Sequence, residues 1–130
     1  TGDAVDVVLP GERIGPNGAP VWGTPTVDTR RNALYIGTGQ NYTEPATSTS
    51  DAIISLDMDS GAVNWVFQAR AADTWNGNCS NAQSLRCSYP AGHDFDFGAA
   101  PILVDDGNTL IAGDKGGVVY SLQAGSGVLN

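Results

Sequence analysis

Residues Gly92 to Pro101 read GHDFDFGAAP and hold the densest chemistry in the chain. Asp94 and Asp96 alternate with Phe95 and Phe97, and His93, the only histidine, stands in front of them. Small residues follow, and then an apolar run begins. Carboxylates serve proteins as proton acceptors and as oxygen ligands for hard cations. A carboxylate at the entry to a strand can equally accept backbone N–H groups and do nothing more. A single histidine in a loop reads as polar surface. The two cysteines, Cys79 and Cys87 in CSNAQSLRC, are too widely spaced for a C-x-x-C redox or zinc pair. They read as a local disulfide closing a polar loop, which implies an oxidising compartment. Two free thiols are the alternative. His93 is the only other soft ligand, so a cysteine-based metal site is disfavoured.

Strands must carry these residues. The 130-residue chain has 17 glycines, 7 prolines and only 15% charged residues, a composition that disfavours helices. Short β-rich runs lie at 24–28, 33–39, 52–57, 63–68, 101–105, 109–113 and 118–123, each bounded by turn residues. A helical turn or two is expected only within 70–90. The formal net charge of −8 argues against nucleic acid and anionic membranes as partners. No apolar run approaches the roughly 18 residues of a membrane-spanning helix.

The strand runs form two copies of one unit. Pro25 aligns with Pro101, Leu34 with Leu110 and Gly37 with Gly113, each 76 positions apart. Leu56 aligns with Leu122 and Gly61 with Gly127 at an offset of 66, so the first copy carries ten extra residues between Gly39 and Asp51. A repeated four-strand unit means a propeller or a β-solenoid. The reading is all-β: part of a β-propeller, with a first repeat at about 20–68, an inserted loop at about 69–97 and a second repeat at about 98–130. The chain starts at Thr1 and ends one residue short of the tryptophan that would match Trp65. It is therefore expected to be a truncated segment of one and a half to two blades. A closed propeller needs roughly 4 to 8.

The stretch SLDMDSGAVNW resembles the A-x-D-x-x-T-G-x-x-x-W tryptophan-docking motif of the pyrroloquinoline-quinone (PQQ) dehydrogenases. The spaced set VWGTPTVDTRRNALYIGTGQNY, SDAIISLDMDSG, DTWNGNC, HDFDFGAAPILV and GDKGGVVYSLQ looks most like the polyvinyl alcohol dehydrogenase branch of that family. The resemblance covers about residues 15–130 and implies an eight-bladed propeller whose blades the motif staples together, with Trp65 in a structural role. It places Trp22 where the family's quinone-stacking tryptophan lies. GTGQ (37–40) stands at the family's GTGN, so Gln40 takes the calcium-binding asparagine's place, with Asn41 beside it. FDFG (95–98) matches the pattern around the catalytic aspartate, making Asp96 general base and metal ligand. Phe95 and Phe97 would pack against the blade, with Asp94 on the opposite side of the pleat or in the loop. DKGG (114–117) matches the D-[RK]-x-G turn, with Lys115, the only lysine, as donor to the quinone oxygens. Trp75 and Asn76 fall in the inserted loop and would face the substrate mouth.

The resemblance implies oxidation of alcohols to carbonyls, with PQQ as hydride acceptor and calcium as Lewis acid. Secondary or polymeric alcohols are the expected substrates. A cytochrome c or quinone would be the electron acceptor, the rest of the propeller a structural partner, and the periplasm or exterior the location. No C-x-x-C-H haem motif occurs in this sequence. The isolated segment would be inactive. The alternative is a non-catalytic propeller of the same repeats acting as a binding or assembly scaffold.

Overall fold

The computed structural model describes residues 18–80 and 92–130. Among these residues seven strands form two antiparallel sheets. The first is a meander of β1 (Thr26–Asp28), β2 (Ala33–Gly37), β3 (Ala52–Asp57) and β4 (Val63–Gln68). The second is β5 (Ile102–Val104), β6 (Thr109–Gly113) and β7 (Val119–Gln123). Every strand lies inside a segment expected from the sequence. Among the described residues the only helical element is a 3-10 turn, Gly77–Ser80.

The turns follow from their residues. Asp28 Oδ1 accepts the backbone N–H groups of Arg30 and Arg31, and Asp57 Oδ1 accepts those of Asp59 and Ser60. Such aspartate turns offer the chain a local alternative to the ladder. Gly61 and Gly127, aligned by the repeat, both adopt φ of 72°, a left-handed conformation that favours glycine.

The core lies between the two sheets. Alternation along β2 and β6 turns Ala33, Tyr35, Leu110 and Ala112 inward, where they meet Ile53, Phe97, Leu122 and Ala124. Tyr35 is fully buried, and its hydroxyl donates to Asp28 Oδ2 or Ala124 O, at 3.1 and 3.0 Å. Burial, then the Asp28 carboxylate, pushes the Tyr35 phenol up to about 12. Burial works against the Asp28 charge, but hydrogen bonds from Arg31 and Tyr35 outweigh it and hold that carboxyl below its ordinary range. Trp65 joins the sheets at the same end. Its Nε1 donates to Ala124 O at 3.1 Å, and its ring lies against Gly127, where a Cβ would stand 2.5 Å from Cε3.

Outward faces carry exposed aliphatic side chains, among them Val63 at 57% on β4, Ile102 at 59% on β5 and Val119 at 69% on β7. The antiparallel order brings the starts of β1, β3, β5 and β7 and the ends of β2, β4 and β6 to one rim. Among the described residues, segments 19–25, 38–51, 69–80, 92–101 and 114–118 therefore lie toward that rim, and they carry Trp22, Gln40, Asp96 and Lys115.

Candidate functional site

The site begins with the path of the chain before β1. Ala19 N donates to Gln40 O at 2.8 Å and Gly39 N to Pro20 O at 2.9 Å, so residues 19 and 20 run beside the GTGQ turn. Trp22 follows and stays 53% exposed. The loop before β5 is clamped between the two sheets. Phe97 N donates to Thr38 O on one side, and Lys115 N donates to Asp96 O on the other. The loop sits so close to the first sheet that a Cβ on Gly39 would lie 2.6 Å from Asp96 Oδ1. On Gly98 it would lie 2.3 Å from Trp22 Cη2. Those close approaches explain the glycines.

Trp22, Gln40, Asp96 and Lys115 meet at this point. Asp96 is 5% exposed, and three groups donate to its carboxylate. Trp22 Nε1 and Lys115 Nζ reach Oδ2 at 3.2 and 3.0 Å, and the Gln40 backbone N reaches Oδ1 at 3.2 Å. Lys115 Nζ also lies 5.1 Å from the Trp22 ring centroid, within cation–π range. Gln40 is 3% exposed, and its Oε1 has no hydrogen-bond partner among the described residues. A buried carbonyl oxygen left unpaired is costly, and it marks a place for a donor or a cation. The adjacent amide, Asn41, is used otherwise. Its Oδ1 accepts from Thr47 N at 2.6 Å and Thr47 Oγ1 at 3.1 Å, tying down the ten-residue insertion.

Asp94 lies in the loop, one of its two expected places, and faces the same ammonium as Asp96, with Oδ1 2.8 Å from Lys115 Nζ. Residues i and i+2 of an extended chain share a side, so two carboxylates in D-F-D converge. The hydrogen bond to Asp94, then those to Asp96, push the Lys115 ammonium above its ordinary range against an opposing effect of burial. Phe97 is buried against Gly37 and Tyr120, while Phe95 is only partly covered. The His93 imidazole stacks on Phe95 at 4.7 Å and 13°, and the Arg70 guanidinium sits 4.2 Å from the same ring centroid. Asn76 Nδ2 donates to Tyr42 O at 2.8 Å, and Asn76 Oδ1 accepts from Asn78 N at 2.9 Å. Cys79 is not a free thiol. Cys87, its expected partner, lies outside the described residues.

Another buried carboxylate near the site escaped the sequence reading. Asp51 is 1% exposed, and neither oxygen has a hydrogen-bond partner among the described residues. Its backbone N donates to Gly39 O at 2.9 Å, which continues the β2–β3 ladder to the site. Burial, then the charges of Asp73 and Asp96, pushes its carboxyl up to about 7, with Arg70 opposing. The available signal was an acid directly before the core strand AIISLD, where the repeat offset puts Gly117 in the second copy. Among the described residues no three His, Cys, Asp or Glu side chains are arranged to hold a metal ion.

The sequence profile described as "PQQ: Glucose/ethanol/alcohol dehydrogenase, beta-propeller domain" matches residues 4–127. A polyvinylalcohol dehydrogenase from Sphingopyxis sp. (strain 113P3) is 39% identical over 114 residues, covering 84% of this chain and 17% of its own length. A polyvinylalcohol dehydrogenase from Pseudomonas sp. is 34% identical over 112 residues, with the same coverage of 84% and 17%. The crystal structure of a quinohemoprotein alcohol dehydrogenase from Comamonas testosteroni superposes with a TM-score of 0.60 at 20% identity, covering 88% of this chain and 17% of that one. That likeness supports the propeller fold. The chain thus spans about a sixth of the length of the proteins it matches. With the profile running through both sheets, the chain belongs to the family of PQQ β-propeller domains of glucose, ethanol and alcohol dehydrogenases.

Proposed function

We propose that this chain is the quinone-contacting, base-bearing part of a PQQ-dependent alcohol dehydrogenase. The observation that carries the reading is the meeting of Trp22, Gln40, Asp96 and Lys115 at one rim, from positions 22 to 115. Residues fit for the cofactor are present. Trp22 offers an exposed indole face for a flat ring, and Lys115 offers a cation beside it. A hard cation fits in part: the unpaired Gln40 Oε1 and the Asp96 carboxylate are oxygen donors, and calcium takes six to eight. Other ligands would come from the rest of the propeller, which would also cover the exposed faces of β4, β5 and β7. When bound, the quinone accepts two electrons and calcium polarises it.

Within this reading each side chain has a task. Trp22 holds the ring plane. Lys115 stabilises negative charge at the ring edge. Asp96 binds the substrate hydroxyl and takes its proton. Among the described residues Oδ2 accepts two hydrogen bonds and Oδ1 one, so Oδ1 is the oxygen with capacity to receive it. Phe97 and the close-packed glycines keep water from the inner side. Secondary or polymeric alcohols are the substrates we assign, on the likeness to the polyvinylalcohol dehydrogenases. A cytochrome c or a quinone would be the electron acceptor. A periplasmic or secreted location and a Cys79–Cys87 disulfide belong to the same reading. So do the repeat boundaries at about 20–68 and 98–130.

One observation favours the scaffold alternative. Asp96 accepts from three donors, as a purely structural carboxylate would. Reconstitution separates the two. The full-length protein, given PQQ and calcium, is expected to bind quinone and to reduce an electron-accepting dye with secondary alcohols. A protein that folds but binds no quinone would be the scaffold.

A further inference from the structure

We propose that Asp94 is a positioning residue for Lys115. It holds the ammonium at the pocket mouth beside the Trp22 face instead of letting it fold wholly onto Asp96. This inference rests on the proposed function of the site. Lysine is a compact charge on a flexible four-carbon stem, so its location is set by what grips it. Here two carboxylates grip it from different depths. The Asp96 side chain is 7% exposed and lies 3.0 Å from Nζ. The Asp94 side chain is 39% exposed and lies 2.8 Å from Nζ. Shared between them, the Lys115 side chain stays 39% exposed and Nζ stands 5.1 Å from the Trp22 ring centroid. No other cation pairs with either carboxylate among the described residues. The neighbouring acid, Asp114, is occupied with Val118 N at 3.0 Å and the Tyr120 hydroxyl at 3.2 Å.

Without Asp94, the remaining partner is the buried one. Attraction strengthens where solvent is excluded, so the ammonium would retreat to Asp96 and leave the ring edge. A flat, anionic ligand stacked on Trp22 would then lose its cation. Asp94 thereby acts on the ligand through Lys115 and touches neither ligand nor substrate itself.

The test is quinone affinity, measured by titrating PQQ into the full-length protein in calcium buffer. Asp94→Asn is expected to weaken binding about fivefold, the scale of a partly exposed ion pair. Asp94→Glu should retain affinity to within about twofold, since it keeps the charge. In a Lys115→Met background the Asn substitution should change nothing further, because the residue it positions is gone. Unchanged or tighter binding by Asp94→Asn would overturn the proposal, as would an equal loss in both backgrounds. Absence of quinone binding by the unsubstituted protein would remove the proposed function and this inference with it. The other two results would leave that function standing.

Discussion

Trp22 and Asp96 are 74 positions apart, yet the indole Nε1 donates to the Asp96 carboxylate at 3.2 Å. The bond ties the approach to the first sheet to the approach to the second. It also orients both side chains at once: the indole by its donor edge, the carboxylate by one oxygen. Its consequences are open to substitution.

Asp96→Asn keeps the shape and removes the proton acceptor. Turnover by the reconstituted full-length protein should fall by about 10²–10⁴-fold, the usual share of general base catalysis. The thermal midpoint should stay close to that of the parent. Retained turnover would take Asp96 out of the chemistry.

Gly98→Ala places a methyl group where Trp22 Cη2 now lies, 2.3 Å from the new Cβ. The indole must move, and the stacking face moves with it. Quinone affinity should drop while secondary structure, followed by circular dichroism, stays the same. Equal affinity would mean that the Trp22 face is not the platform.

Trp65→Phe removes the donor to Ala124 O and keeps most of the ring. The expected loss is about 1 kcal/mol in chemical denaturation. Trp65→Ala also empties the contact with Tyr35 and Gly127 and should cost about 3 kcal/mol. Losses under half a kcal/mol would show that Trp65 does not join the sheets.

Asp51 gives the fold a pH dependence of known sign. Its folded carboxyl titrates at about 7, above the ordinary 3.8, so the folded form holds its proton to higher pH than the unfolded chain. Stability is therefore lost as pH rises from about 4 to about 7, by an amount of order 4 kcal/mol. In calcium-free buffer, Asp51→Asn should match the parent near pH 4 and be the more stable protein at pH 8. Parallel stability–pH curves for the two would contradict this assignment.

Much of this architecture is legible in the chain itself. Alternation in ALYIG and the turn residues around it mark strands, and the 76-position offset that relates β2 to β6 marks the repeat. Chain order then brings the ends of β2 and β6 to the rim that holds Gln40 and Lys115. What sequence could not show depends on depth. Asp51 looks like any acid at a strand entry until the two sheets close around it. Asp94 shows the opposite case. The sequence left it across the pleat or in the loop, although the i, i+2 spacing of D-F-D could have signalled the side it shares with Asp96. The contact of Arg70 with Phe95 joins residues from the two ends of the inserted loop, 25 positions apart, and no local pattern encodes it.

The most direct measurement is a crystal structure of the full-length protein with PQQ and calcium bound. The account predicts the quinone ring on the exposed face of Trp22, Lys115 at its edge and Asp96 Oδ1 turned toward the substrate side. A quinone seated elsewhere, with Trp22 covered by another blade, would contradict it.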